Sequence, residues 1–400
     1  MMVKIMPSFA KGTVWAPPSK SMAHRALLCG ALSSGSVVHG VAYSRDIAAT
    51  IGCLQALGGA VSQEKDVVRL GKCDPFTVKE NTTLFCDESG STLRFFLPLC
   101  MLSGKKITLT GSKRLFERPL GVYAQIAKQQ GIFWQQDDTG VTVCGQLKSG
   151  AYQVPGDVSS QFITGLLYAL PLLRGDSTLE VTGKFESASY VDLTLAALAD
   201  FGVNIRREGR IFHIPGGQKF QPRDYTVEAD CSNGAFLDGL NLLGGQVEVK
   251  GIDPNTLQGD RVYRQMYEKF SEENPKFDLS DCPDLGPVMF ALAAAKGGAT
   301  FTGTARLRIK ESDRAAAMAQ ELAKFGIRIV VNENSVVVEK GKLLMPRESL
   351  WGHNDHRIVM ALALLCTVTG GEIQGAEAVN KSFPDFFQKL RDLQVGVTQL

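Results

Sequence analysis

The chain has 400 residues, of which 44% are hydrophobic and 21% charged, and its formal net charge is +2. This composition is typical of a globular protein of two or three domains and excludes a disordered or fibrous chain. Because the net charge is small, no overall field attracts nucleic acid or membrane surfaces, and anion binding has to depend on local clusters of charge.

Nine cysteines are scattered along the chain, with no CxxC pair and no spacing typical of zinc ligands. We therefore expect a reduced, cytoplasmic protein without a metal site. The longest apolar runs, such as 162–173, have about a dozen residues, which indicates buried helices and not membrane spans. The first dozen residues lack the pattern of a signal peptide.

A short pattern recurs along the chain: the end of a helix, a glycine, and a strand. It occurs at 54–61, 126–134, 198–205 and 322–329, in weaker form at 267–279, and again at 390–400. Glycine after the last apolar residue of a helix is a common left-handed cap. The spacing of roughly 70 residues predicts about six copies of a small α/β subfold.

Each copy also contains a helix that begins with small polar or charged residues and continues almost entirely apolar. These helices are predicted to begin near residues 19, 89, 159, 231, 283 and 354. A helix that is apolar on all sides lies inside a core, so its polar start is the part that can meet solvent or a ligand. Because single cores rarely extend to this length, we predict a mixed α/β fold of two domains with three copies each.

The segment 17–32 places cations at the positive end of a predicted helix. Ser21 and Arg25 lie four residues apart and share a helix face, with Lys20 beside them. The backbone at a helix start favours anions. Either these charges are solvated, or an anion binds among them.

Similar groups of polar residues occur at the later helix starts and in the loops between them. Each group has a simpler interpretation as a helix cap or a solvated charge. The candidate residues are Gly90, Arg94, Arg118, Ser159, Ser160, Gln161, Asp284, Lys310, Glu311, Arg314, His356, Arg357 and Lys381. Arginine and lysine bind phosphates and carboxylates through charge-assisted hydrogen bonds, and Asp284 and Glu311 are candidates for acid–base chemistry. Together these residues indicate an enzyme that acts on small, multiply charged anions.

The motifs at these places, in this order, resemble the 5-enolpyruvylshikimate-3-phosphate synthase family. They are PPSKSMAHR at 17–25, SGSTLR at 89–94, ERP at 117–119, SSQ at 159–161, KESDR at 310–314, NDHR at 354–357 and KSFPDF at 381–386, and they extend over essentially the whole chain. The resemblance implies an enolpyruvyl transferase fold of two domains, each of three βαβαββ units, with the active site in the cleft between them. We place one domain at 15–227 and the other at 1–14 plus 228–400.

The resemblance also implies a reaction and a set of roles. The enolpyruvyl group passes from phosphoenolpyruvate to the 5-hydroxyl of shikimate 3-phosphate, phosphate is released, and no cofactor is needed. The implied contacts to shikimate 3-phosphate are Lys20, Ser21, Arg25, Ser159, Ser160, Gln161, Ser187, Asp284 and Lys310. The implied contacts to phosphoenolpyruvate are Lys20, Gly90, Arg118, Gln161, Arg314, Arg357 and Lys381. The implied catalytic residues are Lys20, Asp284, Glu311 and His356, and Asp284 takes the proton of the 5-hydroxyl.

Three alternatives fit the residues less well. The sister enolpyruvyl transferase that acts on UDP-N-acetylglucosamine shares the fold but lacks the SKS…R start. An inactive anion-binding protein of the same fold is disfavoured because Lys20, Asp284 and Glu311 are all present. A phosphotransferase is disfavoured because no Walker loop is visible. The expected partners are the two small-molecule substrates, without nucleic acid or membrane, and we expect a monomer.

Overall fold

The computed structural model describes all 400 residues. The helices are α1 Lys20–Leu32, α2 Arg45–Ala56, α3 Gly90–Cys100, α4 Lys113–Glu117, α5 Gly121–Gln130, α6 Ser160–Ala169, α7 Ala188–Asp200, α8 Cys231–Leu242, α9 Tyr263–Glu268, α10 Gly286–Lys296, α11 Arg314–Lys324, α12 His356–Thr369 and α13 Phe386–Asp392. The strands are β1 Met2–Ile5, β2 Lys11–Trp15, β3 Ser36–His39, β4 Val61–Glu64, β5 Val67–Leu70, β6 Thr82–Phe85, β7 Ile107–Thr110, β8 Phe133–Gln136, β9 Gly140–Cys144, β10 Ala151–Pro155, β11 Ser177–Thr182, β12 Arg206–Glu208, β13 Ile211–Ile214, β14 Asp224–Thr226, β15 Gln246–Lys250, β16 Lys276–Asp278, β17 Ala299–Thr302, β18 Ile329–Val331, β19 Ser335–Val338, β20 Leu350–Trp351, β21 Gly371–Gln374 and β22 Val397–Gln399.

The chain divides into two compact units. The continuous unit is Pro18–Val227, and the discontinuous unit is Met1–Pro17 together with Glu228–Leu400. Each unit has its own hydrophobic core. The boundary predicted from the sequence places residues 15–17 in the continuous unit. Trp15 is the last residue of β2, however, and it pairs with Lys250 of β15 in the discontinuous unit.

Three four-stranded sheets form the continuous unit, with the orders β14-β3-β5-β4, β6-β7-β9-β8 and β10-β11-β13-β12. In the second and third sheets the chain follows the predicted order of strand, helix, strand, helix, strand, strand. The first two strands of each pair in parallel, and the later ones are antiparallel. In the first sheet the leading position is taken by β14 from the end of the unit, which pairs in parallel with β3.

Two four-stranded sheets and one two-stranded sheet form the discontinuous unit. The sheet β16-β17-β19-β18 has the same chain order as the complete copies. The sheet β20-β21-β1-β22 is completed by β1, which is antiparallel to both β21 and β22. The remaining copy, which contains α8, is shorter than the others. Its strand β15 pairs only with β2, and the chain then passes through α9 to the next copy. The predicted class, six α/β copies in two groups of three, is confirmed.

The six apolar helices lie in the two cores, as their sequences predict. All residues of α12 from His356 to Thr367 are buried. In the discontinuous unit α8, α10 and α12 pack against one another, and in the continuous unit α3 packs against α6. The predicted glycine caps are also present, since Gly131 and Gly202 have φ values of 69° and 78°. Because the helix bodies are inaccessible, only the helix starts and the segments beside them can contact a ligand.

None of the helices combines the length and the apolar content that crossing a bilayer requires. The nine cysteines form no disulfide.

Candidate active site

The start of α1 carries Lys20 and Ser21. Ser19 caps the helix, since its hydroxyl accepts a hydrogen bond from the backbone N–H of Met22 at 3.4 Å. The ammonium of Lys20 lies 2.7 Å from a carboxylate oxygen of Asp46, in the first turn of α2. This ion pair offsets the unfavourable interaction between the lysine and the positive end of the α1 dipole.

Arg25 is buried and joins α1 to α7. Its Nε donates to the hydroxyl of Thr194 at 3.0 Å, and its Nη1 and Nη2 donate to the carbonyls of Ser21 and Tyr190 at 2.7 and 2.8 Å. Burial lowers the pKa of Arg25 below its ordinary value, but an arginine stays charged in proteins. Because these three acceptors are neutral, an anionic ligand would supply the opposite charge that a buried cation favours.

Gly90 begins α3 and lies directly against the guanidinium of Arg118. A Cβ atom at position 90 would approach Nη1, Nη2 and Cζ of Arg118 to 2.6, 2.7 and 2.8 Å. A side chain at position 90 would therefore displace the arginine. Arg118 follows α4 and is buried, so its interpretation as a solvated charge is wrong. The structure brings together these two residues that the resemblance assigns to phosphoenolpyruvate.

Gln161 bridges the starts of α6 and α3. Its Oε1 accepts a hydrogen bond from Nη1 of Arg94 at 3.1 Å, and its Nε2 donates to the hydroxyl of Ser91 at 3.0 Å. Arg94 also donates to the carbonyl of Pro119 at 2.9 Å. Sequence analysis assigns Arg94 to neither substrate. The structure shows that it orients Gln161 and the loop after Arg118.

Three candidate serines of this unit, Ser159, Ser160 and Ser187, have different structural roles. Ser159 is the N-cap of α6 and accepts the backbone N–H of Gln161 at 3.3 Å, so capping accounts for it. Ser160 is the first residue of α6 and is buried. Ser187 precedes α7 in the left-handed region at φ 53° and makes no capping bond. Non-glycine residues held in that region are uncommon and cluster at functional sites.

In the discontinuous unit three cations surround the carboxylate of Asp284. Nη1 of Arg314 and Nζ of Lys310 lie 2.8 and 3.2 Å from its Oδ1, and Nη2 of Arg357 lies 3.1 Å from its Oδ2. The N-cap position of α10 is Leu285, and no side chain caps that helix. The simpler interpretation of Asp284 as a helix cap is therefore wrong.

These charges shift the pKa values in the cluster. Burial favours the neutral form of Asp284, but Arg357, Lys310 and Arg314 outweigh it and hold the pKa of that carboxyl well below its usual range. Burial also lowers the pKa of Lys310 below its ordinary value. The carboxylate is thus ionised at neutral pH and balances the cations around it.

Arg314 is 1% exposed and anchors a second pair of carboxylates. Its Nε lies 2.9 Å from Oδ2 of Asp355, and its Nη2 lies 2.9 Å from Oε2 of Glu311. Burial alone would lower the pKa of Arg314, but Asp355, Glu311 and Asp284 raise it above its ordinary value. The predicted residues Asp284, Lys310, Glu311, Arg314 and Arg357 therefore form one connected cluster.

His356 and Lys381 lie at the edge of this cluster. Asp355 caps α12 by accepting the backbone N–H of Arg357 at 2.9 Å, and Nδ1 of His356 lies 3.8 Å from the same carboxylate. Lys381 is buried, and its ammonium donates to the carbonyl of Asn354. The turn before α12 thus connects His356, Arg357 and Lys381 to the carboxylates held by Arg314.

Sequence analysis gives no role to three carboxylates found here, Asp46, Asp355 and Asp260. Asp260 is buried, accepts a hydrogen bond from the hydroxyl of Ser232, and has its pKa raised to about 6 by burial and by Asp284. Asp46 and Asp355 lie at helix starts, where acidic residues are common for ordinary reasons. Their sequence signal is therefore that of a cap, and only the fold reveals the cations they bind.

Fold and site together define an α/β protein of six repeated subfolds, in which several helix starts carry buried arginine and carboxylate side chains. A family model described as EPSP synthase (3-phosphoshikimate 1-carboxyvinyltransferase) matches residues 6–390. The 3-phosphoshikimate 1-carboxyvinyltransferase of Clostridium kluyveri is 42% identical over 415 residues, which cover 98% of this chain and 97% of that protein. The enzyme of the same name from Clostridium novyi is 40% identical over 96% of each chain.

Solved structures agree with this at the level of the fold. Two structures of EPSP synthase from Acinetobacter baumannii align over 100% of both chains with TM-scores of 0.79 and 0.80, at 23% and 22% identity. The chain belongs to the EPSP synthase family.

Proposed function

We propose that the protein transfers the enolpyruvyl group of phosphoenolpyruvate to the 5-hydroxyl of shikimate 3-phosphate and releases phosphate. The observation that carries this proposal is the cluster around Asp284, in which Lys310, Arg314 and Arg357 hold one ionised carboxylate at 2.8–3.2 Å. Such a cluster offers an acceptor for a hydroxyl nucleophile beside cations that suit an anionic second substrate. The names of relatives that match nearly the whole chain support the same reaction.

The candidate contacts divide between the two units. In this proposal shikimate 3-phosphate is bound by Lys20, Ser21, Arg25, Ser159, Ser160, Gln161 and Ser187 of the continuous unit and by Asp284 and Lys310 of the discontinuous unit. Phosphoenolpyruvate is bound by Lys20, Gly90, Arg118, Gln161, Arg314, Arg357 and Lys381. The residues assigned to each substrate are therefore drawn from both units.

The chemistry is an addition followed by an elimination. The 5-oxygen forms a bond to C2 of phosphoenolpyruvate while C3 takes up a proton and becomes a methyl group. The C–O bond to phosphate then breaks as C3 loses a proton, which restores the double bond. The hydroxyl proton leaves with the products, so the net change is an enol ether plus inorganic phosphate. No electron carrier or group carrier is needed, and the proposal includes no cofactor.

Asp284 accepts the hydroxyl proton in this scheme, and its low pKa has to be reconciled with that role. The cations that depress the pKa of Asp284, Arg357 first among them, are those assigned to the substrates. When they turn towards the phosphate and carboxylate groups, their hold on Asp284 weakens and its pKa rises. The carboxylate then becomes a stronger base at the stage when a base is needed.

Proton transfer at C3 is assigned to Glu311 together with Lys20 or His356. Glu311 is positioned by Nη2 of Arg314 at 2.9 Å, and Lys20 is held by Asp46 at 2.7 Å. Arginine is suited to bind the substrate anions because it stays protonated, whereas lysine can also exchange a proton. The proposal extends to a cytoplasmic location, which suits nine free cysteines, and to a monomer.

The decisive experiment measures phosphate release by the purified protein in the presence of a metal chelator. With both shikimate 3-phosphate and phosphoenolpyruvate we expect continuous phosphate release and formation of the enol ether. With either substrate alone we expect none. Release that requires UDP-N-acetylglucosamine in place of shikimate 3-phosphate would instead assign the sister reaction.

A matched pair of variants connects this activity to the cluster. Asp284→Asn removes the charge of the proposed base, and we expect it to reduce kcat by about 10²-fold or more. Asp238→Asn is the control, since Asp238 is also a half-buried carboxylate that accepts a hydrogen bond, from Tyr263 at 2.5 Å. Equal activity of the two variants would contradict the role of Asp284.

A further inference from the structure

The turn between β20 and α12 has an unusual backbone. His353 and Asn354 are consecutive non-glycine residues in the left-handed region, with φ values of 49° and 51°. Asparagine and histidine occur in this region more often than most residues, but as single residues, and two in succession are uncommon. Strained backbone persists only where surrounding contacts hold it in place. The side chains that contact this turn are therefore needed to maintain its backbone conformation.

Glu321 makes two of these contacts, to Trp351 and His353. It is 2% exposed and uses both carboxylate oxygens. Its Oε1 lies 2.9 Å from Nε2 of His353, and its Oε2 accepts the backbone N–H of Trp351 at 2.9 Å and lies 3.0 Å from Nζ of Lys324. Burial would raise the pKa of Glu321, but His353, the Trp351 amide and Lys324 lower it below its ordinary value. Glu321 is therefore ionised, and both of its carboxylate oxygens have partners, two of which belong to the turn.

The same helix holds the turn at its other end. Arg314 is seven residues before Glu321 in α11, which places both on one face of the helix. Arg314 binds Asp355 at 2.9 Å, and the hydroxyl of Ser312 donates to Asp355 at 3.0 Å. One helix face thus fixes both the entrance and the exit of the strained turn.

This turn also positions residues of the candidate site. The carbonyl of Asn354 accepts the ammonium of Lys381. Asp355 caps α12 through the N–H of Arg357, whose guanidinium reaches Asp284 at 3.1 Å. We propose that Glu321 and His353 form a positioning pair that fixes the turn 351–355 and, through it, the cations Arg357 and Lys381. This inference rests on the proposed function, in which these two cations bind phosphoenolpyruvate.

The test compares Glu321→Ala, His353→Leu and His353→Gln with the wild type. Glutamine at position 353 still offers an N–H to Glu321, whereas leucine does not. We expect Glu321→Ala and His353→Leu to raise KM for phosphoenolpyruvate by about tenfold or more, because Arg357 and Lys381 lose their fixed positions. His353→Gln should restore KM to within about twofold of the wild type. Affinity for shikimate 3-phosphate alone, measured by calorimetry, should stay unchanged, because most of its assigned contacts lie on other elements.

Amide hydrogen exchange of the full chain provides a readout that needs no substrate. We expect faster exchange in peptides covering 351–357 for Glu321→Ala and His353→Leu, but not for Asp238→Asn. The side chain of His353 is 19% exposed, whereas that of Glu321 is 3% exposed, so we expect His353→Leu to fold even if Glu321→Ala does not. Wild-type protein without turnover would refute the proposed function while the exchange data still decide the pairing. Unchanged exchange and unchanged KM in the folded variants would overturn the inference, as would a loss of affinity for both substrates that tracks thermal stability.

Discussion

A single buried carboxylate, Asp260, shows how one residue of this protein responds to pH. Its side chain is buried and accepts a hydrogen bond from Ser232. Its pKa is raised from 3.8 to about 6, by burial first and then by the charge of Asp284, while Arg357 partly opposes the shift. Between these two pH values the folded protein holds a proton that the unfolded chain has released. The contribution of Asp260 to the free energy of unfolding is therefore most favourable below pH 4, where both states are protonated. This contribution falls as the pH rises through about 6, because the buried carboxyl then has to ionise.

Asp260→Asn tests this at the residue scale. Asparagine keeps an acceptor for Ser232 but has no charge to bury, so we expect the variant to be more stable than the wild type above pH 6, by about 1–3 kcal/mol. Urea unfolding between pH 4 and 8 measures the difference. The exposed residue Glu333 provides the control, since Glu333→Gln should leave the pH dependence unchanged. The same pH dependence for Asp260→Asn and wild type would contradict the assignment.

At the scale of elements, the contact between α3 and α6 depends on one glycine. A Cβ atom at Gly165 would overlap the hydroxyl of Tyr123 and the carbonyl of Arg94. That hydroxyl donates to the same carbonyl at 2.8 Å. The close approach of these two helices allows Gln161 to reach Arg94 and Ser91.

Gly165→Ala should therefore destabilise the fold by about 1–3 kcal/mol, because overpacking forces the two helices apart. Gly52→Ala is a matched control within α2, since no heavy atom lies within 4 Å of a Cβ built there. Alanine at that position should stabilise the fold by about 0.4–1 kcal/mol. Denaturant midpoints of the two variants measure this contrast. Equal midpoints would show that α6 can shift without cost.

The elements also show what can be predicted from a sequence. The six apolar helices, and the glycines that end α5 and α7, follow from local patterns, and the structure contains them. The pairing of β14 with β3, and of β1 with β21 and β22, cannot be predicted in this way. Strands so far apart in the sequence carry no local pattern that identifies their partners. Among site residues, the cations were recognised by their motifs. Asp46 lies outside these motifs, and Asp355 lies inside NDHR without an assigned role, since a carboxylate at a helix start has the pattern of a cap whether or not it also binds Lys20 or Arg314.

At the scale of the whole molecule, the two cores are composed of separate stretches of chain. One core draws only on residues between Met22 and Val227, and the other only on residues before Pro17 and after Glu228. The continuous unit also completes its first sheet with its own strand, β14. It therefore contains what a domain needs to fold alone.

We expect a fragment of residues 18–227 to fold and to unfold cooperatively in urea. Circular dichroism and dispersed amide resonances measure this outcome. A fragment of residues 228–400 is the counterpart, and it should fold poorly because it lacks β1 and β2, which pair with β21, β22 and β15. A disordered 18–227 fragment would show that its core depends on the rest of the chain.

The pairing of β1 also sets an order of events on the ribosome. Residues 2–5 emerge long before their partners at 371–374 and 397–399. At roughly 5–20 residues per second, the first strand waits on the order of 20–70 s for them. During that time the continuous unit can form beside it, while the exposed edge of the waiting strand is open to chaperones or to a wrong partner. A strand that is synthesised early is thus among the last to be paired.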